Sequence, residues 1–344
     1  MKKPILPEQL IGHFLGVGSV GETDPKAPLA YVKSLRVPYA YELPRLREED
    51  MIRRFAALVD GFEDKGDFVM DIDMYVYRDI TEDDSPLLPD EAHAHSLYLM
   101  TQNASYNLFK TQQPAPGTMC FSTRGIDGRQ LVSRAMFHLY SSLMSRAAMG
   151  QMKHLSQCCK SIILCQDDPA LGFVSKMLHE GKGEDLTLRQ IVQSTERVYP
   201  VNSIPAYHYC DDWRGLIEDD WYVLWDGQPR INHIDLVSFK PEIESDHAER
   251  LNSFLERGGS IALGVLPNVD SGYSNPVVET LRQNLEKTLQ LLHDSGVDLG
   301  LLSDRAMIST QCGLSSASSS LCREIHEKSK EFPTVFRKTI KSFI

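Results

Sequence analysis

Residues 260–294 read SIALGVLPNVDSGYSNPVVETLRQNLEKTLQLLHD. The first six positions carry no charge and are mostly aliphatic, as expected of a short strand buried on both faces. Asn275-Pro276 then supplies a helix start, a polar cap ahead of a proline whose fixed φ suits the first turn. From there Val278, Leu281, Leu285, Leu289 and Leu292 recur at spacings of three and four, which places them on one face of a helix over 276–294. A buried strand followed by an amphipathic helix is the repeating unit of a parallel α/β sheet.

The same alternation runs along the chain. Apolar and aromatic runs predict strands near 13–17, 37–41, 118–122, 162–166, 204–208, 234–239, 260–265 and 307–310. Helical periodicity predicts helices near 26–35, 48–60, 128–156, 186–197, 246–257, 276–294 and 317–330, with Asp24-Pro25 as the start of the first. Residues 67–78, DFVMDIDMYVYR, alternate well enough to form an additional strand pair. Eight strands separated by helices predict an α/β fold, specifically a (β/α)8 TIM barrel. Residues 1–344 are expected to form a single barrel domain, with an acidic excursion over about 63–95 read as a solvated loop.

Composition narrows the function. Of 344 residues, 42% are hydrophobic and 24% charged, so a chain of this length builds a core without disulfides. Lys+Arg is 36 against Asp+Glu 47, a net charge of −11, which disfavours nucleic-acid or anionic-membrane partners. No apolar run approaches the ~18 residues of a membrane span, and MKKPILPEQLIGH has no apolar core of a signal peptide. Seven cysteines in so long a chain are not a secreted disulfide framework. The expectation is a soluble cytoplasmic enzyme or binding module.

Several short motifs could carry chemistry. AYHYCDDW places His208 and Cys210 two apart at an expected strand end, where alternate residues face the same side. Cys312, in ISTQCGLSS, ends another. One imidazole and two thiolates suit zinc with a fourth position open, but the same residues also read as a core histidine with two buried cysteines. Residues 16–21, GVGSVG, match a dinucleotide-binding pattern, yet ETDPKAP follows where a helix would have to begin. They are read instead as a Gly-Ser turn at a strand end. Glu42 follows the second strand, and Asp167-Asp168 follow the fourth; each could equally be a solvated carboxylate or a turn cap. His93 and His95 fall in the acidic excursion, and Cys158-Cys159 at a helix end, where packing or solvation explains them. Ser19, Glu42, Asp167, His208, Cys210 and Cys312 all fall at C-terminal strand ends, the face where barrel active sites lie.

On these residues the sequence resembles the catalytic C-terminal barrel of the cobalamin-independent methionine synthase family. It is more similar still to compact single-barrel bacterial relatives grouped with uroporphyrinogen decarboxylase and methionine synthase. GVGSVGETDP resembles the family's strand-one Gly-Ser motif, YELPRLREEDMIRRF the Glu-bearing segment after strand two, and QDDPALG the Asp-Glu-Pro-Ala-Leu motif. HYC and QCGLSS resemble the zinc His-x-Cys pair and the distal zinc cysteine. The resemblance implies a zinc-dependent thiol methyltransferase of methionine biosynthesis, with zinc on His208, Cys210 and Cys312. It implies homocysteine or a related thiol as acceptor, with Gly18 and Ser19 at its carboxylate and Glu42 and Asp167 at its ammonium. The methyl donor would be a folate, methylcobalamin or a corrinoid protein. The family's zinc glutamate ends strand six; Lys240 stands at the apparent match in IDLVSFKPE, and Glu242 two residues on is the candidate fourth ligand. Two other readings share the barrel: an enzyme like uroporphyrinogen decarboxylase, and a non-catalytic zinc- or thiol-binding barrel. The absence of any arginine before Arg36 speaks against the first, and Lys240 keeps the second open.

Overall fold

The computed structural model describes residues 3–344. In chain order the strands are β1 (Phe62–Asp64), β2 (Phe68–Met70), β3 (Phe109–Pro114), β4 (Thr123–Gly125), β5 (Ile162–Asp167), β6 (Ser203–Tyr209), β7 (Ile217–Glu218), β8 (Trp221–Tyr222), β9 (Ile231–Asp235), β10 (Ser260–Leu266) and β11 (Ala306–Thr310). Six of them form one sheet in the order β11-β10-β9-β6-β5-β3, every pair parallel. Helices flank this sheet, as parallel strands require, because each crossover returns the chain over a face. Two further extended segments join through isolated parallel bridges: Phe14 to Ile308, Ser19 to Glu42, and Tyr39 to Lys110. Their backbone bonds include Leu15 N to Ile308 O at 2.8 Å, Glu42 N to Gly18 O at 3.0 Å and Ala40 N to Lys110 O at 2.9 Å. The architecture is therefore a mixed α/β, TIM-barrel-like fold with a central parallel sheet. Among the described residues, no helix is long and apolar enough to cross a membrane.

Two strands lie elsewhere than the sequence predicts, and both displacements have a physical cause. Residues 118–122 belong to a helix, Pro116–Ser122, with proline at its start. The strand is β3, whose sequence FKTQQP has one clearly apolar side chain yet is buried throughout. Its polar groups are satisfied on both faces. On the outer face Thr111 bonds Gln151, and Gln113 donates to Met144 O at 2.8 Å, both on the helix Arg134–Leu155. On the inner face Lys110 Nζ donates to Val17 O at 2.7 Å and Gln112 Nε2 to Ala40 O at 2.6 Å. The strand expected at 234–239 is β9, which ends at Asp235. There the Asp235 carboxylate accepts from the Val237 and Ser238 amides at 2.8 and 2.9 Å and turns the chain out of the sheet.

The helices near 128–156, 186–197, 246–257, 276–294 and 317–330 form close to their expected places. Those expected over 26–35 and 48–60 shrink to Leu29–Val32 and Arg53–Ala56 with short turns around them. The acidic excursion is a solvated loop only in part, over residues 83–90. It holds the antiparallel β1–β2 pair and a helix, Met74–Glu82, capped by Asp73, so only the first half of the strand-pair expectation for 67–78 holds. Buried Arg146 ties it to the helix Arg134–Leu155, donating to Ser85 O at 2.8 Å and Asp79 O at 2.7 Å.

The helix Val277–Asp294 begins one residue late. Pro276 keeps an extended conformation (ψ 152°) and serves as the cap, so Val277 joins Leu281, Leu285, Leu289 and Leu292 in the core while Val278 is half-buried. Leu285→Ala is accordingly expected to cost about 2–5 kcal/mol of unfolding free energy. Val278→Ala should stay within about 0.5 kcal/mol of the native protein. Urea denaturation of the two variants measures both, and equal losses would place Val278 in the core.

Candidate metal centre

The parallel register brings the ligand candidates together before any side-chain detail is considered. Asp167 on β5 pairs with His208 on β6, and His208 pairs with His233 on β9. Cys210 lies one residue past β6. Cys312 lies two past β11, where Gln311 N donates to Leu266 O at 2.7 Å and Thr310 Oγ1 to Cys312 O at 2.8 Å, folding the loop over the strand ends. One donor atom each from His208, Cys210 and Cys312 lies within 4.8 Å of the other two. The Cys312 Sγ to His208 Nε2 separation is 3.7 Å. A tetrahedral zinc with usual Zn–S and Zn–N bonds has an S···N edge of about 3.6 Å. The donor set fits a metal in both chemistry and spacing.

The two thiols are not equivalent. The sulfurs of Cys210 and Cys312 lie within 4.8 Å of each other, and this proximity pushes the Cys210 thiol up, with burial adding to it. The same proximity, aided by His208, holds Cys312 well below the usual thiol range against the opposing effect of burial. Burial works against a charged His208, but the hydrogen bond and charge of Cys312, together with Asp167, raise its pKa overall. The other Nδ1 of this corner belongs to His233, buried and 2.6 Å from His208 Nδ1, and His233 Nε2 is 2.8 Å from the Thr310 carbonyl.

Gly18, Ser19, Glu42 and Asp167 gather on the same rim. Ser19 bridges Glu42, its carbonyl accepts from Leu314 N at 3.0 Å, and a Cβ on Gly313 would lie 2.1 Å from its hydroxyl, so Ser19 abuts the Cys312 loop. Gly18 faces Gln112, whose side-chain nitrogen would sit 2.9 Å from a Cβ there. Asp167 is buried with Oδ1 lacking any hydrogen-bond partner. Burial raises its pKa to about 6, although His208 and Lys110 pull it down. Glu42 is not free in the same way, since Arg54 Nη1 lies 3.0 Å from its Oε1, off the line of a hydrogen bond, with both side chains buried.

The structure does not bring Lys240 or Glu242 into this group. Both are exposed, on the loop beyond Asp235, where they line an outer groove with Gln283 and Lys287 of the helix Val277–Asp294. The acidic residue at the end of β9 is Asp235. Its charge is among the influences that raise Cys210, and burial together with Cys312 raises its own pKa. Two residues of this corner, His233 and Asp235, are hidden in the sequence because the apolar run points to a strand starting three residues later than β9 does. His95, set aside as a loop residue, bonds buried Glu49 at 2.7 Å and tethers the excursion.

No protein-family model matches the chain, and no curated protein matches it. Solved structures do. A B12-independent methionine synthase from Shewanella sp. W3-18-1, in complex with selenomethionine, is 13% identical, with 97% of this chain and 99% of that one covered at a TM-score of 0.52. A Listeria monocytogenes protein assigned as a vitamin-B12 independent methionine synthase is 11% identical over 96% of each chain, with a TM-score of 0.46. A Clostridium thermocellum endo-1,4-β-D-xylanase module scores 0.42 at 10% identity, over 97% of this chain and 70% of that one. The first is a likeness of fold, and the weaker two carry no argument.

The inequality of the thiols is open to measurement. In metal-free protein, iodoacetamide is expected to label Cys312 first, at a pH below that at which an ordinary thiol ionises. Peptide mass spectrometry across a pH series reads the order of labelling, and earlier modification of Cys210 would reverse the assignment.

Proposed function

We propose that this chain is a zinc-dependent methyltransferase acting on a thiol, homocysteine or a close relative, with a folate or corrinoid methyl donor. In this reading residues 1–344 form one eight-stranded barrel, the two bridged segments being its first and second strands. The observation that carries it is the convergence of His208, Cys210 and Cys312 within ligand distance, at the end of the barrel where Asp167 presents an unpartnered oxygen.

Zinc held by His208, Cys210 and Cys312 would act as a Lewis acid that keeps an incoming thiol ionised near neutral pH. The chain's own residues do the rest. Asp167 Oδ1 accepts from the acceptor's ammonium, a contact that returns to that buried oxygen the partner it lacks. Gly18 and Ser19 face the carboxylate end. The buried rim holds sulfur and methyl carbon in line and excludes water. The acceptor sulfur forms the new S–C bond, and the donor departs with the electron pair of the bond it loses. Asp235, fixed by two backbone amides, stands beside the thiols as a carboxylate at the sixth strand end. Asp235 is not among the atoms within mutual ligand distance, so the fourth position expected of Glu242 is left to the incoming thiol.

One observation favours a narrower second reading. Arg54 already neutralises Glu42, so a single carboxylate is left to meet an ammonium, and a thiol without an amino group would lose less here than in a site with two free carboxylates.

The purified protein is expected to carry about one zinc per chain, and Cys312→Ala to lose most of it, as metal analysis would show. Full occupancy in that variant removes Cys312 from the site. Asp167→Asn should keep zinc and weaken an amino-acid thiol roughly tenfold, since a charge-assisted hydrogen bond contributes ~1.5–3 kcal/mol. Calorimetric titration with homocysteine and with an amine-free thiol separates the readings. Equal affinities for the two thiols, insensitive to Asp167→Asn, would establish the second. Absence of zinc together with absence of thiol-dependent methyl consumption would overturn both.

A further inference from the structure

The interior positions of parallel barrels are usually filled by branched apolar side chains. Residue 233 on β9 is instead a histidine, 3% exposed, in register beside His208. Burying an imidazole there costs free energy unless both ring nitrogens find partners. They do, and the partners determine which nitrogen carries hydrogen. The Thr310 carbonyl can only accept, so His233 Nε2, 2.8 Å away, carries one. In the neutral ring the remaining Nδ1 is then bare. It lies 2.6 Å from His208 Nδ1, the two rings meeting edge-on at 62° with centroids 4.5 Å apart. Two N–H groups cannot face each other at that distance, so His208 Nδ1 donates. The hydrogen of the neutral His208 ring is thus committed to Nδ1, and Nε2, the atom 3.7 Å from Cys312 Sγ, is left with its lone pair toward the sulfurs.

We infer that His233 is a positioning residue of the metal centre, which holds His208 in the Nδ1–H form and makes Nε2 the ligating atom. This rests on the reading of His208 as a ligand. The chain runs from the Thr310 carbonyl on β11 through β9 to β6, and Cys312 follows Thr310 by two residues. One strand end therefore supplies both a thiol ligand and the acceptor that anchors the opposite ligand. Partners of this kind fix the orientation and basicity of a metal-bound imidazole, and their loss typically lowers metal affinity 10–100-fold. His233 touches neither metal nor substrate.

The test uses the full chain loaded with cadmium-113 and labelled with 15N-histidine. In the native protein the metal coupling is expected on His208 Nε2, with hydrogen retained on Nδ1; coupling on Nδ1 overturns the inference without any variant. His233→Leu should lower zinc and cadmium affinity roughly 10–100-fold with an unchanged circular dichroism spectrum. His233→Asn, whose side-chain oxygen stands near the position of Nδ1, should keep most of the native affinity. A purely space-filling role would reverse that order, because leucine fills the apolar volume and asparagine does not. Native affinity in His233→Leu, or equal loss in both variants, overturns the inference. His208→Ala separates the two layers. If it leaves cadmium affinity intact, the ligand reading itself fails; if it abolishes binding while His233→Leu does not, only the role of His233 falls.

Discussion

Parallel strands in register end at one height, and the chemistry of this protein depends on that constraint. Asp167, His208 and His233 are successive rungs of one ladder across β5, β6 and β9, so a carboxylate and two imidazoles stand side by side through backbone pairing alone. Because side chains alternate along a strand, a one-residue slip of β6 would turn His208 outward and bring Tyr207 or Tyr209 into its place. The neighbours resist such a slip. Tyr207 is bound on the outer side to Asp168 at 2.7 Å, and Asp168 also takes Thr118 at 2.6 Å. The buried network behind the sheet thus fixes the register that the site in front of it uses.

The same logic explains a polar inner wall. Lys110, Gln112, Asp167, His208, His233 and Asp235 occupy positions where a barrel ordinarily keeps aliphatic side chains, and nearly every polar atom among them has a named partner. The exception, Asp167 Oδ1, is therefore informative: a buried acceptor without a donor costs about 1–3 kcal/mol, and it lies at the C-terminal end of β5. In the outer layer Leu281, Leu285, Leu289 and Leu292 join the apolar core. Arg54 on Glu42 extends the pattern, pairing a second rim carboxylate from within the chain rather than leaving it for a ligand.

Much of this was legible in the residues. Runs such as IALGV and the leucine stripe after it announce their structure through periodicity, and His208, Cys210 and Cys312 are identified by residue type and strand-end position. Hydrophobic patterning fails where polar groups are buried in pairs. FKTQQP does not look like a strand because the partners that satisfy it, Gln151, Met144, Val17 and Ala40, are far away in sequence. RINHID hides its end for a similar reason: the apolar run Ile234, Leu236, Val237 continues past Asp235, and only the turn made by that carboxylate stops the strand. The apolar run thus points to Glu242 as the strand-end acid and away from both His233 and Asp235. The Glu42–Arg54 pair shows a different limit, since Arg54 is an ordinary surface-like residue of REEDMIRRF until the fold turns it inward.

The sheet is held unevenly around its circumference. From β3 to β11 the strands share continuous ladders, whereas the segments bearing Ser19 and Glu42 are attached by single bridges and a few backbone bonds. Local opening follows the number of bonds that must break together. The amides around Ser19 and Glu42 are therefore expected to exchange with solvent ahead of those beneath His208 and His233. On the proposed function, the rigid arc would carry the atoms whose spacing a metal fixes, and the yielding arc those that meet the acceptor as it enters and leaves.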